Sequence, residues 1–337
     1  ALDKAFNGMY VQIREGSAAK NLDTLLPVMK KYPERVMFCS DDRHPNDLAD
    51  HHINDHVKRA VAAGYDPIDV LRASTLHPII HYGLDVGMLR ENDPADFVIV
   101  NNLKDFNVLE TYIDGQKVAE NGKTLIPSVK TGVINKFNTK PISKEDIIVK
   151  ATGSELAVIR ARDGQLVTEE IDVELRRSGG YVESNVGNDI LKLVVYNRYE
   201  YAPPAIAFIH EFGLKRGAIA STVAHDSHNI IAVGTNDEDI CGAINMLVES
   251  KGGVSLLDGK KKMILPLPVA GLMSNEDGYI VAEQYSRLDE EAKTLGSTLR
   301  APFMTLSFMA LLVIPDIKLS DKGLFDGKKF EFIPLVR

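Results

Sequence analysis

The sequence predicts two textures in one chain, α/β in its first part and α+β in its second. Three observations carry this reading. Apolar strands alternate with helical patterns before Gly83, and short strands joined by Asp-Gly turns follow it. Between the two halves, residues 126–150 are rich in Lys, Pro, Thr and Asn and have no periodic apolar face, so a linker is expected there. At 337 residues, 45% hydrophobic and 26% charged, the chain has the length for two domains and the composition of a globular protein.

The elements follow in order. Met9 to Ile13 reads as a strand, Leu22 to Lys31 as a helix, and Val36 to Cys39 as a short buried strand. Asp55 to Ala63 is a helix that Gly64 ends. Pro67 to Ser74 is another, with proline in its first turn, where a missing N–H costs nothing. Strand–helix–strand alternation implies a parallel sheet or barrel. Phe97 to Val100 and Val108 to Ile113 read as strands, and Asp114-Gly115 turns the second back into Gln116 to Val118. Beyond the linker, strands are expected at 156–162 and 191–196, a second hairpin turn at Asp163-Gly164, and helices at 237–250 and 278–295. Phe303 to Ile314, the longest nearly apolar run, is shorter than the ~20 residues a bilayer needs and ends at Pro315, so it reads as core rather than membrane.

Charge and motif content narrow the function. Lys+Arg 39 against Asp+Glu 47 leaves a net charge of −8 with no basic run, which disfavours nucleic acid and leaves a small molecule or protein as the expected partner. Cys39 and Cys241 stand far apart without a C-x-x-C spacing, which fits a reducing cytoplasm. The chain opens on a polar segment without initiator Met or basic-then-apolar leader, so a start inside a longer polypeptide is expected. G-x-G-x-x-G, Walker A and G-x-S-x-G patterns do not occur, and nucleotide-phosphate and serine-hydrolase readings lack support.

The sharpest chemical feature is Phe38-Cys39-Ser40-Asp41-Asp42-Arg43-His44-Pro45, an apolar strand ending in two carboxylates, a guanidinium and an imidazole. The carboxyl end of a strand is where β/α folds build sites. Asp41 and Asp42 point opposite ways if the strand continues, one to bind metal or take a proton and the other to contact ligand. Equally, one caps the next helix while Arg43 pairs with the other. Arg14-Glu15-Gly16-Ser17 marks the end of the preceding strand: free N–H groups at Gly16 and Ser17 suit an anionic or polar ligand, and Glu15 suits an exocyclic amine. A surface turn with a Ser cap is the bland alternative. The third feature is His225-Asp226-Ser227-His228-Asn229, five polar residues inside an apolar stretch. Two imidazoles so spaced ligate a metal or polarise a ligand, unless the segment is an exposed Asx turn. His51, His52 and His56 are read as a solvated helix face, His77 and His81 as structural, and His210-Glu211 as buried and hydrogen-bonded.

Ile13 to Leu22 and Phe38 to Pro45 together resemble the adenine deaminases of the amidohydrolase superfamily. The likeness extends through Ser74-Thr75-Leu76-His77-Pro78, Asp93-Pro94-Ala95-Asp96, Ala224 to Gly234, Leu265 to Ser274, Thr298 to Pro315 and Asp321 to Phe325. The resemblance implies hydrolytic deamination of adenine to hypoxanthine and ammonia, and assigns Asp41 as metal ligand and proton shuttle. Arg14, Glu15, Ser17, Asp42 and His44 become candidates for purine contact, joined by His225, Asp226 and His228. It implies a divalent metal, Mn or Fe with Zn also an option, most of whose ligands lie outside this chain. The metal-binding His and Glu positions of the earlier barrel strands have no counterpart here. The implied architecture is the last strands of a (β/α)8 TIM barrel at 1–82, part of a small β-sandwich domain at 83–141, and a C-terminal α+β domain at 142–337. Expected partners are the missing N-terminal half of the barrel and further copies of the chain in a homo-oligomer, with no membrane. The competing readings are another amidohydrolase, dihydroorotase-like or cytosine deaminase-like, and a non-catalytic binding or oligomerisation fragment.

Overall fold

A computed structural model describes residues 1–337 apart from 18, 51 and 176–178. It is mixed α/β and divides into two compact units, Ala1–Lys130 and Thr131–Arg337.

In the first unit, helix α1 (Leu2–Phe6) leads into strand β1 (Val11–Arg14). A short helix α2 (Leu22–Leu25) and a 3-10 turn over Leu26–Lys30 follow, and then strand β2 (Val36–Cys39). The single helix expected over 22–31 is thus interrupted, because Pro27 has no N–H to return to the preceding turn. β1 and β2 run parallel with Arg14 opposite Cys39, so both chains leave the sheet at the same end. Among the described residues this parallel pair is not part of a closed barrel. Helices α3 (Pro45–Asp50), α4 (Ile53–Ala62), α5 (Pro67–Ser74) and α6 (Leu76–Tyr82) come next. Asp66 caps α5 by accepting from the amides of Ile68 and Asp69. Ile13, Val36 and Phe38 pack with Val57, Ala60, Val70 and Ala73, so the apolar faces of α4 and α5 cover the strand pair.

That packing corrects one expectation. His56 is not on a solvated face: it is fully buried, its ring 6.0 Å from that of Phe38. The face of α4 that meets β2 carries it inward together with Val57 and Ala60. Burial pushes the imidazole below its ordinary pKa. His52 stands exposed at the N-terminus of α4, and His51 lies outside the described residues. The ring of His77 meets the carbonyl of Val36 at 2.9 Å. The unit ends in an antiparallel sheet of β3 (Phe97–Val100), β4 (Val108–Ile113), β5 (Gln116–Glu120) and β6 (Lys123–Thr124). Asp114 and Gly115, at φ 50° and 72°, make the tight turn between β4 and β5.

The second unit is built on one eight-stranded sheet. Its strands enter as β7 (Val149–Lys150), which pairs apart with β10 (Tyr181–Val182), then β8 (Glu155–Arg160), β9 (Glu169–Glu174), β11 (Ile190–Tyr196), β12 (Ala205–His210), β13 (Ala218–Ser221) and β14 (Ile230–Gly234). Helix α7 (Asp237–Ser250), β15 (Gly253–Asp258), β16 (Lys261–Pro266), α8 (Gly278–Thr294) and α9 (Pro302–Phe308) follow, and β17 (Ile317–Ser320), β18 (Gly323–Asp326) and β19 (Glu331–Phe332) form a small sheet. The main sheet has the order β16-β15-β13-β14-β11-β12-β8-β9, antiparallel except between β12 and β8. Val194, Tyr196, Ala218, Ala220, Ile230 and Ala232 pack against Ile240, Ile244 and Leu247 of α7. Their neighbours Leu193, Val195, Ile219 and Ile231 are fully or almost fully buried too, so both faces of these central strands are covered.

Residues 126–150 behave as a linker only in part. Phe137, Ile142 and Ile147 are buried in the α7 core, and the amide side chain of Asn245 pairs with both the N–H and the C=O of Ile142 at 2.8 Å. Docking by isolated apolar residues leaves no period to read. No described helix is long and apolar enough to cross a membrane.

Candidate active site

The shared exit of β1 and β2 brings the first two polar clusters together. Asp41 turns the chain sharply with φ 59°, a left-handed conformation that aspartate tolerates better than most residues. Its Oδ2 accepts from Nη1 of Arg14 at 2.9 Å, with the two side chains 31% and 35% exposed. Nε of Arg14 is held in turn by Asn21 at 3.1 Å. The two loops are then laced by backbone contacts. Ser17 N donates to Asp42 O at 2.9 Å, His44 N donates to Ser17 Oγ at 2.9 Å, and Nε of Arg43 donates to Glu15 O at 2.8 Å. Gly16 is required where the loops touch, since a Cβ there would lie 2.8 Å from Asp42 O.

Each candidate therefore has a defined place. Asp41 and Arg14 form an accessible ion pair at the strand ends, and Asp42 is exposed. His44 is half-buried beside Ser17, whose hydroxyl also donates to Asp47 in the first turn of α3. Glu15 is 8% exposed and both its oxygens are engaged, Oε1 by Nη1 of Arg59 at 2.7 Å and Oε2 by the amide of Leu22 at 3.1 Å. Arg59 also reaches Asp23 at 2.9 Å. Cys39, just before the site, has its thiol pKa raised by burial and then by the charge of Asp41, so it is no ready nucleophile. Asp47 and Arg59 were not singled out from the sequence. Asp47 carried only the weak signal of an acid near a helix start, and Arg59 that of an i,i+4 partner to Asp55.

Among the described residues no three His, Cys, Asp or Glu side chains stand close enough to hold a metal ion. Asp41 offers one carboxylate, already turned to Arg14, so this chain's described residues do not by themselves make a metal centre.

The third cluster belongs to the second unit. The ring of His225 stacks on Phe308 at 4.7 Å between centroids and meets the ring of His228 at 5.6 Å and 61°. Asp226 is exposed, with Oδ1 3.8 Å from Nδ1 of His225. The loop rests on Arg198 and Tyr199, neither of which stood out in the sequence: Nε of Arg198 donates to His228 O at 2.5 Å, and Tyr199 Oη donates to Ser227 O at 2.9 Å.

Comparison with known proteins bears on all three clusters. The family model described as amidohydrolase family matches residues 7–118, and that described as adenine deaminase C-terminal domain matches 165–331. A protein named adenine deaminase from Salinibacter ruber is 52% identical over 99% of this chain. Throughout its length the chain is similar to proteins named adenine deaminase. The adenine deaminases of a Sulfurovum species and of Methanosarcina mazei are 52% and 48% identical over 100% and 99% of the chain. The chain spans only 61–63% of the length of these relatives and corresponds to their C-terminal part.

Proposed function

We propose that this chain acts as the C-terminal part of a metal-dependent adenine deaminase, hydrolysing adenine to hypoxanthine and ammonia in cytoplasmic purine salvage. The observation that carries the reading is an identity near 50% across the whole chain to proteins named adenine deaminase. In this reading residues 1–82 supply the last strands of a TIM barrel, 83–141 part of a small β-sandwich domain, and 142–337 the C-terminal domain. The N-terminal half of the barrel and further copies of the chain are its partners.

Replacing the 6-amino group of adenine needs an activated water and an acid for the departing amine. A divalent metal, Mn or Fe in preference to Zn, would supply the activated water by lowering its pKa towards neutrality. Asp41 is assigned as one of its ligands, the others lying outside this chain. Asp41 takes a proton from the attacking water and returns it to the leaving nitrogen, while Arg14 holds the carboxylate in one orientation. Asp42, His44 and Ser17 stand at the same strand ends to contact the purine, and Glu15 stiffens their loop from below. His225, Asp226 and His228 are the second unit's own candidates for purine contact.

Ammonia release from adenine, measured with this chain alone and together with the N-terminal barrel part of a relative and Mn²⁺ or Fe²⁺, tests the reading. Turnover of adenine on complementation is the expected result. Turnover of cytosine instead would make it a different amidohydrolase, and no turnover at all would leave a binding fragment.

A further inference from the structure

Two of the sequence runs in the second unit, His225 to Asn229 and Leu265 to Ser274, meet around one side chain. Arg198 is 2% exposed, and among the described residues none of its hydrogen-bond partners is an acid. Its Nε donates to His228 O at 2.5 Å, and its Nη2 donates to Ala270 O at 2.8 Å and Tyr199 Oη at 2.9 Å. Nη1 reaches Asn135 Oδ1 at 3.4 Å, and the guanidinium lies 4.5 Å from the Tyr199 ring centroid and 5.7 Å from that of Phe137. Burying a cation against neutral acceptors is costly, and an apolar side chain of similar volume would stabilise a core at least as well. Stability alone is therefore a poor reason for Arg198.

Its contacts converge on the histidine loop instead. His228 holds φ 52°, the left-handed region that a non-glycine residue keeps only when its surroundings over-determine it. Two bonds do so: His228 N to Ala224 O at 2.7 Å, and the Arg198 bond to His228 O. The backbone N–H of Arg198 reaches Asn229 Oδ1 at 3.4 Å, and Tyr199 holds Ser227 O. The Leu265 to Ser274 run acts on the other side of the guanidinium. Gly271 packs so closely that a Cβ would lie 2.4 Å from Nη1.

We infer that Arg198 is a positioning residue: clamped by Ala270-Gly271, it fixes the backbone of the His225–Asn229 loop and so the direction in which the His225 and His228 imidazoles are presented. The inference rests on the reading above that this loop acts on adenine, and it gives the 265–274 run a role.

The test uses Arg198→Met and Gly271→Ala, followed by the ring resonances of His225 and His228 in ¹H–¹³C spectra, assigned through His225→Gln and His228→Gln. Steady-state kinetics on adenine are measured in the complemented enzyme. Arg198→Met is expected to keep the native circular dichroism and move both sets of ring resonances. It should lower kcat about tenfold or more with KM within about threefold, the pattern of a lost transition-state interaction. Gly271→Ala, which keeps the guanidinium but shifts it, should move the same resonances the same way, and it decides the matter if Arg198→Met does not fold. Unmoved rings, or moved rings with unchanged kcat, would overturn the proposal. Absence of adenine turnover in the wild-type complemented enzyme would sink the deaminase reading instead, while the spectra still decide whether Arg198 holds the loop.

Discussion

At its strand ends the first unit keeps the Arg14–Asp41 pair where water reaches it, whereas among the described residues the second buries the basic side chains of Arg198, Lys192 and Lys318 almost completely. At the strand ends of the first unit, Arg14 and Asp41 pair while each remains about one-third exposed. In the second, Arg198 is 2% exposed, Lys192 1% and Lys318 0%. Lys192 is paired with Asp237 at 2.6 Å and with Ile147 O at 2.9 Å, whereas the Nζ of Lys318 donates to the carbonyl of Leu166 at 2.6 Å. The contrast separates two uses of charge. Accessible groups can exchange protons with water at little cost to the fold, while buried ones hold loops and helix ends in place.

The largest effect expected on the exposed side is catalytic. Asp41→Asn should lower deamination by about 10⁴-fold, the upper range for losing a proton-transferring group, with the melting temperature nearly unchanged. Near-normal turnover in this variant would reduce Asp41 to a turn residue and erase the contrast.

On the buried side the largest effect is a pH dependence. Burial drives the Lys318 amine down to about 7, so between that pH and its unfolded value the unfolded chain binds a proton that the folded chain does not. Stability should therefore rise with pH across this window, and it should fall, then level off below it, as pH drops. The full difference is up to about 5 kcal/mol. Urea unfolding of the wild type and Lys318→Met at neutral and alkaline pH isolates the contribution, since the variant should lose this part of the slope. Equal slopes would mean that the amine stays charged in the fold.

Removing Asp237 leaves Lys192 buried without its carboxylate, and Asp237→Ala should cost about 3 kcal/mol. Chemical denaturation measures it, and a loss below about 1 kcal/mol would show that the Ile147 carbonyl and water suffice. The smallest stability effect belongs to Arg14→Met, which removes an exposed pair worth under about 1 kcal/mol. A rise in KM for adenine without a matching loss of stability would sharpen the division between the units, and a large loss of stability would blur it.

Local signals carried much of the fold. Val36–Cys39, Pro67–Ser74, Phe97–Val100, Val108–Ile113 and Asp237–Ser250 have the bounds that patterning, proline and caps suggest. Strand-end polarity also located the Asp41 cluster, because charges directly after an apolar strand are local information. His56 and the Phe137–Ile147 segment escaped it, as an imidazole on a helix and scattered apolar residues look the same in solvent or in a core. Arg198 escaped for a stronger reason: its partners Asn135, His228 and Ala270 are distant in sequence, and nothing near it distinguishes it from a surface arginine.

The sequence by itself determined the elements, the two textures, the likeness to proteins named adenine deaminase and the residue types available for chemistry, since these follow from neighbours along the chain. Only the tertiary structure decided that Glu15 has both oxygens occupied, that Arg14 rather than Arg43 faces Asp41, and that a buried guanidinium underlies the histidine loop. Those facts depend on which groups folding takes out of water and sets side by side, and desolvation has no signature in the order of residues.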